Sequence, residues 1–128
     1  MIRVGTDIIE IARIEKNIKN PAFLKRVYSP KELALFPEPR PVQSLAARFC
    51  AKEALIKVFG EWVPFHEITV LNDAAGRPFY ELSGTAEAKR RSLKIDALDL
   101  SLSHCEEYAV AFAVGLCAEE RMDGHATD

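Results

Sequence analysis

From Ile2 to Ile11 the chain reads IRVGTDIIEI, a nearly continuous apolar run that predicts a buried strand. Gly5 inside it permits close backbone approach. The period then lengthens. Ala12 to Lys19 predict a short amphipathic helix that stops before Asn20-Pro21, because a residue preceding proline avoids the helical region. A second short helix follows over Phe23 to Val27. Ser29-Pro30-Lys31-Glu32 signals a third start: Ser29 can cap, Pro30 suits the first helical position, and Glu32 closes a capping box. That helix ends by Phe36, before the stiff loop Glu38-Pro39-Arg40-Pro41. Val42 to Phe59 predict the longest helix, with Gly60 as its stop. Ala47, Ala51, Leu55, Val58 and Phe59 form one apolar stripe, and Leu45, Phe49 and Ile56 a second, so this helix has two faces to bury.

Beyond residue 67 the period falls to two. Glu67 to Leu71 and Pro78 to Leu82 flank Asn72-Asp73-Ala74-Ala75-Gly76, which predicts a hairpin. Thr85 to Leu93 predict a polar helix. Leu98 to His104 and Tyr108 to Leu116 predict a second hairpin, turned at Cys105-Glu106-Glu107. No repeat, low-complexity segment or linker interrupts the chain. One domain over residues 1–120 is expected, with a frayed tail at 121–128. Helices first and antiparallel strands after them predict an α+β domain.

Charge narrows the partners. The 128 residues carry a net charge of −2, which argues against a nucleic-acid binder held by a general basic field. Yet Lys16, Lys19, Lys25, Arg26, Lys31 and Arg40 crowd the first third, a local basic face for an acidic partner. Cys50, Cys105 and Cys117 lack C-x-x-C spacing and fit neither a disulfide scaffold nor a zinc site. Without a secretory segment or an apolar run of ~18 residues, a cytoplasmic protein with no membrane span is expected.

The candidate chemistry rests on three segments. Asp7 sits in an apolar run, where a carboxylate must be paired, capped or bound to a cation. Glu53 lies on the long helix with Lys57 one turn on and Arg48 and Lys52 just before it. Two hard oxygen ligands beside cations suit a magnesium–phosphate site. Ordinary surface ion pairs four residues apart are the plainer alternative for Glu53–Lys57 and for Arg48–Lys52. His104 ends an alternating strand and is a second candidate, or an ordinary hydrogen-bonded histidine. A Ser103–His104–Asp7 triad is rejected, because adjacent strand residues point to opposite faces. The same objection removes Cys105 as a nucleophile beside His104. Gly76-Arg77-Pro78 is explained by turn chemistry, with phosphate binding by Arg77 as the alternative.

Taken in order, GTDIIEIARI, RFCAKEALIKVFG, the AAGRP hairpin and LSLSHCEEYAVA resemble a holo-acyl-carrier-protein synthase, the small type of 4′-phosphopantetheinyl transferase. The resemblance runs from Met1 to Glu119. It implies transfer of the phosphopantetheine arm of coenzyme A to a serine of an apo acyl carrier protein, with release of adenosine 3′,5′-bisphosphate. Asp7 and Glu53 match magnesium ligands. Lys57 matches a lysine near the pyrophosphate, and Glu53 working through a water polarised by the metal is the candidate base. Arg48, His104 and Cys105 match coenzyme A contacts, and Gly76, Arg77 and Pro78 match a loop near the adenine and its 3′-phosphate. Arg13 matches a docking arginine for the acidic carrier, with Lys25 and Arg26 beside it. The family implies a homotrimer whose sites lie between subunits. The surplus apolar face of the last hairpin, Val110, Phe112 and Val114 or their alternates, suits such packing.

Two departures stand out. Glu61-Trp62-Val63-Pro64 follows Gly60 where a longer glycine-rich stretch is usual, and Cys105 replaces a frequent threonine. The shortened loop keeps a rival open: a non-catalytic carrier-binding module with a degraded coenzyme A loop. A generic magnesium phosphohydrolase is the third alternative.

Overall fold

In the computed structural model, which describes residues 1–118, the chain runs β1 (Ile2–Glu10), α1 (Ile11–Asn17), α2 (Pro21–Val27), α3 (Pro30–Leu35), α4 (Val42–Phe59), a 3-10 turn (Phe65–Glu67), β2 (Ile68–Asn72), β3 (Pro78–Leu82), α5 (Gly84–Ser92), β4 (Ile95–His104) and β5 (Tyr108–Cys117). The expected tail, 121–128, lies outside the described residues. β1, β5 and β4 form an antiparallel sheet with β5 in the middle, and β2–β3 is a separate hairpin. The α+β architecture is as expected. No helix among the described residues is long and apolar enough to cross a membrane.

α4 is the pivot. It packs on β1 and β5 with one side and takes α1 and β2 on others. Leu45, Ala47, Ala51, Leu55, Val58 and Phe59 are buried, and Phe49 and Ile56 are half-buried against the same core. The helix stops where Gly60 turns left-handed at φ 73°, its amide donating to the Ile56 carbonyl at 2.8 Å.

Gly5 lets β1 lie directly on α4. A Cβ built there would fall 2.0 Å from the Ala54 carbonyl oxygen and 3.0 Å from the Val58 nitrogen. Both are helix backbone and cannot rotate aside. Gly5→Ala is therefore expected to push β1 off α4 at a cost of about 1–3 kcal/mol or more, the range for overpacking. A lowered thermal midpoint or lost soluble protein is the readout. An unchanged midpoint would show that the two elements separate freely.

The structure corrects two expectations. β1 is not a buried strand. Gly5 and Ile9 are buried, but Ile2, Val4 and Ile8 are exposed at 65, 54 and 61 %. The physical reason is that α4 covers only the odd-numbered row. Thr6 pairs with Phe112 and Ile2 with Leu116, and Phe112 and Leu116 are likewise exposed. One apolar face of the sheet is thus open in the single chain.

Lys52 is the second correction, because it is no solvated neighbour of Glu53. It is fully buried, and its ammonium donates to Glu32 Oε1 at 2.6 Å, Val27 O at 2.7 Å, Ile68 O at 2.5 Å and Phe65 O at 3.1 Å. Glu32 makes the expected capping box with Ser29, but its carboxylate also turns inward and accepts from Val70 N at 2.9 Å. Burial lowers the Lys52 pKa to about 8, with Glu32 opposing the shift. Consecutive residues on a helix sit about 100° apart, so Lys52 and Glu53 serve different faces of α4.

Candidate active site

β1 and α4 bring the two expected carboxylates together. Asp7 pairs with Ala111 across the β1–β5 ladder and so shares the helix-facing row with Gly5 and Ile9. Its side chain keeps 18 % exposure. Lys57 reaches back from α4, donating to the Thr6 carbonyl at 2.7 Å with its Nζ 3.7 Å from Asp7 Oδ1. The plain Glu53–Lys57 pair is absent: among the described residues, Lys57 bridges to Asp7 instead. Glu53 is half-buried. Burial and the nearby Asp7 carboxylate raise its pKa, while Lys57 and Arg13 pull it down. Two mutually repelling carboxylates, partly desolvated and flanked by cations, form an electrostatic setting that a bound cation relieves.

Among the described residues, no group of three or more His, Cys, Asp or Glu encloses a metal point. Two carboxylates alone suit magnesium, which keeps several waters and takes phosphate oxygens rather than an all-protein cage. Beneath them lies Cys50, fully buried, with its Sγ donating to the Ala109 carbonyl at 3.3 Å. Burial, then the Asp7 and Glu53 carboxylates, push this thiol up to about 12. It stays protonated and is no nucleophile. The described cysteines, Cys50, Cys105 and Cys117, are all free.

The other expected contacts lie elsewhere on the chain. His104 ends β4 opposite Ala109, with β5 between it and β1. Two strand spacings, roughly 10 Å, therefore separate its strand from that of Asp7. Cys105 is exposed in the following turn, its amide bonded to the Tyr108 carbonyl at 2.9 Å. Gly76 is left-handed at φ 86° in the β2–β3 turn, and Asp73 Oδ1 accepts from both Ala75 N and Arg77 N at 2.9 Å. Arg77 pairs with Asp99 of β4, and Pro78 opens β3. Arg77, Asp99, Ser101 and Phe112 line a cavity of about 220 Å³ on the open face of the sheet, away from the row that carries Asp7.

Arg48 is also separated from Glu53, and the grouping of the two is corrected here. Its guanidinium is buried, bonded to Val70 O at 3.2 Å, Ser44 O at 3.3 Å and Asn72 Oδ1 at 2.5 Å, and lies 4.5 Å over the Phe36 ring. Arg48 ties α4 to the β2–β3 hairpin.

A feature the sequence did not disclose adjoins the carboxylates. A groove of about 760 Å³ runs between α1–α2 and the segment after α4. Arg13, Lys16, Arg26 and His66 line it, with Phe23, Phe49, Phe65 and Trp62. Arg13, which acts on Glu53, belongs to both places. Arg26 lies 5.6 Å over the Phe23 ring, whereas Lys25 is exposed on α2 outside the groove. The hints were the basic residues Arg13, Lys16 and Arg26 and the altered loop that carries Trp62; their closure into a groove was not legible.

Comparison with known proteins bears on this geometry. Residues 3–113 match the family described as the 4′-phosphopantetheinyl transferase superfamily. The chain is 43 % identical over 120 residues to a holo-acyl-carrier-protein synthase of Ruminiclostridium cellulolyticum, covering 87 % of this chain and 89 % of the relative. It is 46 % identical over 118 residues to the enzyme of the same name from Dehalococcoides mccartyi, covering 89 % and 98 %. A solved complex of the Chronobacterium ammoniagenes synthase with coenzyme A superposes with a TM-score of 0.81 at 31 % identity, covering 93 % of this chain and 99 % of that one.

Proposed function

The chain belongs to the 4′-phosphopantetheinyl transferase superfamily, and on that premise we propose that its site is that of a holo-acyl-carrier-protein synthase. The protein transfers the 4′-phosphopantetheine arm of coenzyme A to a serine of an apo acyl carrier protein and releases adenosine 3′,5′-bisphosphate. The observation that carries this is the convergence of Asp7, Glu53 and Lys57 from β1 and α4. The rival binding module has no use for a half-buried carboxylate pair held at an electrostatic cost.

The serine hydroxyl attacks the β-phosphorus, a new O–P bond forms, and the bond to the bridging oxygen breaks. Asp7 and Glu53 would hold magnesium, which supplies charge neutralisation on the pyrophosphate when bound. Lys57, fixed by Thr6 O, offers a second cation for charge that moves onto the leaving phosphate. Glu53, acting through a water rather than directly, is the candidate base for the serine proton. His104, Cys105, Gly76, Arg77 and Pro78 bind the coenzyme A of a neighbouring subunit's site in a homotrimer. Arg48 shapes the hairpin that presents that loop. The setting is the cytoplasm, where coenzyme A and apo carrier meet.

The test is direct. Protein, coenzyme A, magnesium and apo carrier should give a carrier heavier by one phosphopantetheine arm. A carrier whose acceptor serine is alanine should gain nothing. Binding without a mass change would leave the non-catalytic module, and phosphate release without carrier would leave the phosphohydrolase.

Docking gives a separate expectation. The groove's cations, with no acidic side chain lining it among the described residues, complement an acidic carrier. Arg13→Glu should weaken carrier binding by more than ~1 kcal/mol, about fivefold in the carrier KM, because charge reversal adds repulsion to a lost pair. The KM for coenzyme A should hold. A larger change for coenzyme A would place Arg13 in the nucleotide site.

A further inference from the structure

The buried Lys52–Glu32 pair has no part in the chemistry above, yet it lies directly behind the groove. A buried ion pair is weak support for stability, since well-packed apolar side chains of similar volume often serve as well. Its contacts show what it does. The Lys52 ammonium holds the Val27 carbonyl, at the end of α2, and the Phe65 carbonyl, in the 3-10 turn. Val27 and Phe65 line opposite walls of the groove. The same ammonium also binds Ile68 O, where β2 begins, and Glu32, whose second oxygen takes Val70 N. One charged group thus fixes both walls to α4 and the hairpin.

Aromatic contacts also link the walls. Phe49 on the floor stacks on Phe23 at 6.1 Å and meets Phe65 edge-on at 5.7 Å. Such contacts tolerate sliding, whereas hydrogen bonds from one buried ammonium do not. We infer that Lys52 and Glu32 are positioning residues that set the width of the groove and thereby the recognition of the carrier, resting on the reading of the groove as the carrier's dock. The carboxylates that handle coenzyme A lie around α4 from Lys52 and are not positioned by it.

Trp62 is the single tryptophan of the chain and lines the groove, so its fluorescence reports on occupancy. Lys52→Met alone strands the Glu32 charge, so the decisive protein is Lys52→Met/Glu32→Gln, which removes both charges and keeps an acceptor at the cap. Apo carrier titrated into the parent should shift Trp62 emission saturably. In the double variant, with native circular dichroism, the carrier Kd and KM should rise about tenfold or more, while the coenzyme A KM stays within about twofold. A purely structural role would instead lower kcat through lost active protein and leave both KM values in place. Restoring Glu32 and placing arginine at position 52, Lys52→Arg, should recover part of the carrier affinity. The inference is overturned by a folded double variant with the parent's carrier KM, by equal rises for both substrates, or by a double variant that cannot fold at all. A parent protein that transfers nothing would instead overturn the proposed activity, and its Trp62 titration would still read the groove.

Discussion

Asp7→Ala and Glu53→Ala are each expected to cut phosphopantetheine transfer by more than about 100-fold, since even outer-shell partners of a bound metal are worth 10–100-fold. The fold should survive both changes. Asp7 stands at the mouth of the site with 18 % of its side chain exposed, and Glu53 is held at a cost. The sign of that cost can be checked. Burial and Asp7 raise the Glu53 pKa above its unfolded value. The folded chain therefore binds the proton more tightly. Stability falls as pH rises from the unfolded pKa through the folded one, and stays lower above both. At neutral pH without magnesium, Glu53→Gln should thus melt no lower than the parent, and higher if the carboxylate repulsion dominates. Magnesium should raise the parent's thermal midpoint and leave that of Glu53→Gln nearly unchanged, because ligand binding to the folded state alone stabilises it. Near-parent activity of either alanine variant at low millimolar magnesium would remove the two-carboxylate site.

The parts of this arrangement that the sequence discloses are those with local causes. The Ser29–Glu32 capping box, the Gly60 stop and the Asp73–Gly76 turn each depend on residues a few positions apart, and each forms as expected. Asp7 is legible because a carboxylate in an apolar run calls for a partner. Tertiary packing decides the rest. Lys52 and Glu53 are neighbours in sequence and look alike as helix charges. Only the position of α3 reveals that one faces Glu32 in the core and the other the β1 rim. β1 reads as buried because its apolar run includes both faces, although α4 covers only one. The groove assembles residues from α1, α2, α4 and the loop after Gly60, so no single segment announces it.

The exposed half of that sheet leads to the second large effect. Ile2, Val4, Ile8, Tyr108, Phe112 and Leu116 are all more than two-fifths exposed, and the register puts them on one face with Val110 and Val114. An apolar face of this extent suits burial against copies of the same chain. Arg77 lies beside that face, and His104 ends the sheet's far edge strand. In the proposed trimer they would stand next to a neighbour's Asp7 and Glu53 and complete its site. His104→Ala and Glu53→Ala should then each be inactive alone, yet regain activity when mixed and allowed to exchange subunits. If subunits mix at random, about one site in four combines an intact His104 with a neighbour's intact Glu53, so recovery should approach a quarter of parent activity. Phe112→Glu, which puts a charge in the centre of the apolar face, should give monomers that lack activity while Asp7, Glu53 and Lys57 remain in place. A fully active monomer, or no recovery after exchange has been demonstrated by mass, would confine the site to one chain and leave the open face without this role.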